Sequence, residues 1–166
     1  MSILFITVKY IVYRKELSML LRYNSFLKYI MLFLTGGFVY GGIEIIFRGY
    51  SHISMLVAGG LCFVLIGLIN ELFSWEIALV SQMVISSFII TAVEFISGLI
   101  VNVWLGLNVW DYSDQPYNLM GQICILFSII WFFLSPLAII LDDYLRYRLL
   151  GEKKPRYKIF WTVINP

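Results

Sequence analysis

Four apolar runs, each near the ~20 residues a helix needs to cross a bilayer, leave this chain few folds to adopt. They cover roughly Phe26–Phe47, Ser54–Phe73, Trp75–Val101 and Asn118–Leu141. A backbone inside hydrocarbon must satisfy its own hydrogen bonds, and runs of this length do so as helices. The 166 residues are 61% hydrophobic and only 13% charged, the balance of a membrane protein and not of a soluble domain. The expected fold is therefore all-α, a polytopic membrane protein whose four transmembrane helices form a bundle over residues 26–141. An N-terminal amphipathic interfacial helix (residues 1–25) is expected before it, and a basic cytoplasmic C-terminal tail (residues 142–166) after it.

The first 24 residues do not read as a span. Lys9 interrupts the apolar run, Arg14, Lys15 and Glu16 close it, and the features of a signal peptide are missing. Leu4, Val8, Ile11, Val12 and Tyr13 recur at helical spacing ahead of basic residues, as in a helix lying on the membrane surface. A short re-entrant helix is the competing reading. Of the 12 Lys and Arg residues, all but Arg48 lie in or beside the two tails, from Lys9 to Lys28 and from Arg146 to Lys158. The positive-inside rule then puts both termini in the cytoplasm, which requires an even number of spans. Gly151 and Pro155 stop a helix that runs on through Leu150. The cluster Lys153, Lys154, Arg156 and Lys158 reads as an anchor to anionic lipid head groups, with a docking surface for a cytoplasmic partner as the sharper alternative. Basic residues confined to the membrane flanks exclude a nucleic-acid partner. Cys62 and Cys124 lie in apolar runs without a CxxC, the pattern of inert buried thiols.

The polar residues inside the apolar runs carry the functional signal, because each is costly in lipid unless it faces protein or water. Glu44 and Arg48 are four apart and stack on one helix face, which Gly37 and Gly41 share. At ~1.5 Å per residue Glu44 lies roughly 24 Å beyond Lys28, and Glu94 roughly 28 Å beyond Trp75, so the two acids reach similar depth. Ser87, Thr91, Glu94, Gly98 and Asn102 form one stripe on the third span, and Gly121, Cys124, Ser128, Trp131 and Ser135 another on the fourth. These placements predict an outward-facing polar pocket lined by Glu44, Arg48, His52, Glu94, Asn102 and Asp111. Asp114 in the outer loop and Gln122 at the start of the fourth span complete the ligand-binding candidates. Plainer readings exist for each. Glu44 and Arg48 can be a register-fixing pair, Glu94 can hydrogen-bond a loop, and His52 can be an interfacial hydrogen-bonder. One histidine is too few for a zinc site, so no metal or cofactor is expected. Residues 110–116, WDYSDQP, can be a rigid turn capped by its aspartates.

Three blocks also carry a resemblance: Glu44, Arg48, Gly49, Ser51, His52, Ser54, Met55, Gly59 and Gly60; Glu94, Ser97, Gly98 and Asn102; and Trp110 to Asp114 with Pro116, Asn118, Gly121, Gln122 and Cys124. Together they resemble a family of small bacterial membrane proteins labelled "putative ABC transporter, type IV", or CmpB-like. The likeness runs from about Gly36 to Trp131, with the tails outside it. It implies a transporter or permease subunit in the bacterial plasma membrane that binds a small polar or charged solute. The chain has no G-x-x-x-x-G-K-[ST] phosphate loop. Energy would come from a separate ATPase, a homo-oligomer or an ion gradient, and membrane lipids are the remaining partners. An intramembrane enzyme acting on a lipid or isoprenoid, with Glu94 or Asp111 as acid or base, is the alternative. A non-catalytic assembly subunit is the third reading.

Overall fold

The computed structural model describes residues 24–73 and 77–159, together with Glu16, Met19, Leu20 and the backbone of Val163 and Ile164. The expected N-terminal interfacial helix lies almost wholly outside the described residues. Among those described, four helices are long and apolar enough to cross a membrane: α1 (Ser25–Arg48), α2 (Ile53–Leu72), α3 (Leu79–Gly98) and α4 (Ile125–Leu145). Both α3 and α4 run on as wider π-helical turns, Leu99–Trp104 and Arg146–Leu150. A two-residue hairpin, β1 (Asn118–Leu119) with β2 (Ile123–Cys124), precedes α4, and β3 (Tyr157–Lys158) pairs with β4 (Val163–Ile164) in the tail.

Helix ends follow local chemistry. The Asn24 side chain accepts from the amides of Phe26 and Leu27 at 3.1 and 3.3 Å and starts α1. Gly49, at φ 78°, ends it in the left-handed conformation that suits glycine. His52 caps α2, its Nδ1 accepting from the Ser54 amide at 3.2 Å. Pro136 falls inside α4, where it cannot donate to the Phe132 carbonyl. The Ser135 hydroxyl donates to that carbonyl instead, at 2.9 Å, so the helix passes the proline without an unmet acceptor.

The first two spans fall where expected, and the other two correct the reading. The third begins at Leu79 and ends at Trp104, later than Trp75–Val101. The fourth is Ile125–Leu150, displaced toward the C-terminus from Asn118–Leu141. Its expected first turn is a tight loop because Tyr117, Met120 and Gly121 all take positive φ (55°, 55° and 69°). The Asn118 side chain holds that loop by bonding the Ser113 and Gln115 carbonyls and the Gly121 amide. At the other end the helix continues past Leu141 because Asp143 and Arg146 find polar partners on α2 and Asp142 pairs with Arg146.

The helices pack as two pairs. At Gly37 an added Cβ would stand 2.6 Å from the Leu56 carbonyl oxygen, and at Gly60 2.5 Å from that of Phe33. Only glycine allows α1 and α2 to come this close, as the small residues had suggested. Hydroxyls join α3 to α4: Ser87 donates to the Ser128 carbonyl at 2.7 Å, and Thr91 meets the Ser128 hydroxyl at 3.0 Å. The two predicted stripes therefore face each other. Phe38, Phe88 and Phe133 point away from the bundle, where acyl chains would cover them.

Candidate functional site

One end of the bundle, where α1 and α3 finish, gathers five of the eight predicted residues into three separate knots. In the first, Glu44 is buried and pairs with Arg48 at 2.6 Å while accepting from the Ser51 hydroxyl at 2.6 Å. Arg48 also donates to the Tyr50 hydroxyl at 3.0 Å and to the Val109 carbonyl at 2.8 Å. The arginine thus fastens the loop between α3 and α4 to α1, and its planar fork suits that task. In the second, the π-helical turn carries Asn102 inward. Its amide donates to the Trp110 carbonyl at 3.0 Å and to Gln122 Oε1 at 2.9 Å, and its oxygen accepts from the Val109 amide at 2.7 Å. The Trp110 indole returns a bond to the Gln122 carbonyl at 3.0 Å. π turns often mark positions where a side chain must be re-aimed.

The third knot is Glu94. The Tyr112 hydroxyl donates to one carboxylate oxygen and the Trp131 indole to the other, each at 3.0 Å. Burial, then the neighbouring Glu94 charge, pushes the Tyr112 phenol far above its usual range, so it stays a donor. Its ring stacks on Phe127 with centroids 4.5 Å apart. Tyr40 lies between the first and third knots, its ring 6.0 Å from that of Trp131. Glu44 and Glu94 share this end but have no side-chain hydrogen-bond partner in common among the described residues.

The other predicted residues stand apart. His52 caps a helix and meets the Ser54 hydroxyl at 2.8 Å. Asp111 is exposed, and its carboxylate is held below the usual range by donations from the Ser113 hydroxyl and amide. It is a turn cap, as the plainer reading of residues 110–116 had it. Asp114 is exposed. Among the described residues, no group of three or more His, Cys, Asp or Glu side chains could hold a metal ion.

Beneath these knots lies a cavity of about 240 Å³ walled by all four helices, from Met55 to Ile66 along α2 and from Trp131 to Leu141 along α4. Tyr40, Phe63, Trp110 and Trp131 line it, most of the rest of the wall is aliphatic with Ser97 and Ser135 at its edge, and Glu94 is its one carboxylate. Of the eight predicted residues only Glu94 reaches it. The hollow near Glu94 is thus apolar, whereas the polar residues around it mostly bond to one another.

The opposite end, where α1 begins and α4 finishes, holds a cluster that the sequence reading missed. Lys28 pairs with Glu71 at 2.5 Å and Glu152 at 2.9 Å. Arg146, only 3% exposed, pairs through Nε with Asp142 at 2.5 Å and through Nη1 with Glu71. Asn70 bonds both oxygens of Asp143 at 3.0 Å, and the Tyr157 hydroxyl donates to one of them at 2.8 Å. Burial, then the Asp143 charge, raises the Tyr157 phenol above its usual range. Gly67 makes room for the Asp142 carboxylate, since a Cβ there would lie 2.4 Å from Oδ1. The signal was available: two adjacent acids, and an arginine four residues after the first, close an apolar run. Placing the span end at Leu141 hid it by assigning all three to a solvated tail.

The model of one protein family matches residues 3–165, nearly the whole chain, tails included, so the likeness extends well beyond the Gly36–Trp131 stretch. No curated protein and no solved structure matched. With four apolar helices and both of its charged ends inside the matched range, the chain belongs to the family described as "Putative ABC-transporter type IV".

Proposed function

We propose that this chain is a transport-type subunit of the bacterial plasma membrane, both termini cytoplasmic, that takes an amphiphilic substrate into the cavity among its helices. The observation that carries this reading is a single buried carboxylate, Glu94, in a wall that is otherwise largely apolar. Pockets that orient apolar ligands use a few placed polar groups in such walls. Glu94 keeps acceptor capacity beyond its bonds to Tyr112 and Trp131, so it can receive an ammonium or hydroxyl carried on a hydrocarbon. The solute site expected from the sequence thereby moves from Arg48, bonded to Glu44, Tyr50 and the Val109 carbonyl, and His52, whose Nδ1 caps α2, to the space beneath them. Arg48, Asn102 and Gln122 become the roof that holds the loop over it. Eleven of twelve basic residues beside the two tails support the orientation. A separate ATPase or a second copy would couple energy to movement, because the chain has no phosphate-binding loop. The competing reading, an intramembrane enzyme, would use Glu94 as acid or base on a bound lipid.

Quenching of Trp110 and Trp131 by a bromoalkylamine tests the cavity. Saturable quenching is expected, abolished when Ala58→Phe fills the space. Glu94→Gln should weaken the amine about tenfold, the loss of one charge-assisted contact, and leave a bromoalkane unchanged. Quenching that never saturates, or is the same in Ala58→Phe, would overturn the reading. Turnover of a bound lipid, lost in Glu94→Gln, would establish the enzyme instead.

A further inference from the structure

The end of the bundle where α4 finishes contains a second cavity, of about 370 Å³, within the size range of small-molecule sites. Its wall differs in kind from that of the apolar cavity, since Asn70, Glu71, Asp143, Arg146, Glu152 and Lys153 line it. Two features of that wall are unresolved within the protein. Arg146 is buried and permanently charged, and its Nε and Nη1 are engaged, yet Nη2 has no hydrogen-bond partner among the described residues. A buried guanidinium edge left unmet is costly, and native proteins satisfy such groups with solvent or ligand. Asp143 is 3% exposed and forms no ion pair among the described residues; its partners Asn70 and Tyr157 are neutral donors. Three carboxylates (Glu71, Asp142 and Glu152) already share the two cations Lys28 and Arg146, and Asp143 makes a fourth acid in the cluster. Lys153 stands exposed at the edge of the cavity.

An inorganic cation would answer Asp143 but leave Arg146 Nη2 unmet. An anion would answer Arg146 but meet four carboxylates. A ligand that presents both signs answers both. Asp143 and Arg146 are three residues apart, so their side chains leave α4 as neighbours roughly 5–6 Å apart at Cβ, a separation that a few covalent bonds can span.

We propose that this cavity binds a small zwitterionic group, an ammonium and an anion a few bonds apart, with Arg146 Nη2 receiving the anion and Asp143 the ammonium. The reading is independent of the apolar cavity and of Glu94. The same chemistry occurs in a free amino acid and in an ethanolamine phospholipid head group, and the test separates these sources. In one arm, alanine and O-phosphoethanolamine are titrated calorimetrically into the full chain in detergent. In the other, unfolding midpoints are compared in nanodiscs of phosphatidylethanolamine and of phosphatidylcholine. A soluble source gives saturable binding of one zwitterion per chain, and betaine, which has no N–H to donate, binds at least tenfold more weakly. Propionate or ethylammonium alone does likewise. A lipid source raises the midpoint in the ethanolamine lipid over the choline lipid. Asp143→Asn, close in shape to the native residue, abolishes the discrimination between amine and quaternary ligand in whichever arm shows it. If no zwitterion binds in the first arm and the two lipids are equivalent in the second, solvent alone fills the cavity and the proposal fails. It fails equally if betaine matches alanine, or if Asp143→Asn leaves the discrimination intact.

Discussion

The two ends of the bundle solve the same problem, polar groups in an apolar setting, in opposite ways. At the loop end Asn102, Gln122, Trp110 and Glu94 exchange short bonds with neutral partners, many of them backbone groups of the loop itself. At the terminal end charged groups meet charged groups in a shared network. The buried side-chain atoms without partners among the described residues are Gln82 Oε1, Ser86 Oγ, Asp142 Oδ1 and Arg146 Nη2. Two belong to the charged cluster and two to the part of α3 nearest that end, whereas the loop end has none. A satisfied network rigidifies, and an unsatisfied one leaves bonds for something else to make. The loop end is thus built as a fixed roof, and the terminal end as a receptive site.

The largest effect that would sharpen this contrast is expected from Arg146→Leu. It leaves Asp142, which is 0% exposed, with its charge unanswered, and breaking a buried pair in this way costs about 3–5 kcal/mol. Arg48→Ala removes a partner from Glu44 at the other end, but that arginine side chain is 31% exposed and Ser51 still holds the acid, so about 1 kcal/mol is expected. Denaturation in detergent that ranked the two substitutions the other way would break the comparison. Next comes Gly67→Ala, whose methyl group would press on the Asp142 carboxylate; crowding of this kind costs about 1–3 kcal/mol, read as a lowered unfolding midpoint. Asn102→Ala frees the Val109 amide and the Trp110 carbonyl, at about 1–3 kcal/mol. It should open residues 105–117 to protease while leaving the terminal cluster intact. Ser135→Ala strands the Phe132 carbonyl beside Pro136 for roughly 1 kcal/mol. The smallest effect concerns pH. The Asp111 carboxyl is held low, so its contribution is present above its unfolded pKa of about 4 and is lost as pH falls through the lowered value. Asp111→Asn should therefore change stability only on that acid limb, as followed by unfolding at a series of pH values.

Much of the architecture was legible in the sequence because the bilayer imposes one length scale and one rule of backbone satisfaction. Phe26–Phe47 and Ser54–Phe73 lie within one residue of α1 and α2 at both ends, and the spacing of Ser87, Thr91 and Ser128 foretold which faces meet. The fourth span was misplaced because hydropathy cannot distinguish an apolar hairpin from an apolar helix. Asn118, Leu119 and Met120 read as helix until the positive φ at Tyr117 and Met120 is known. The pairing of Glu44 with Arg48 followed from periodicity alone. The independence of Glu44 from Glu94 did not, since depth along an axis says nothing about rotation around it. The polar knots at the loop end were expected to enclose a hollow; instead they lie over one, because their donors find acceptors in the loop and on the helix ends beside it.

The glycine contacts between α1 and α2 have a mechanical corollary. Two rods whose backbones touch cannot slide or twist independently, and the hydroxyl bonds from Ser87 and Thr91 tether the other two rods in the same manner. The molecule is accordingly two stiff leaves, with the apolar cavity bordered by both. Any opening wide enough to admit a guest runs along the line where the leaves meet, and it leaves the closeness within each leaf untouched.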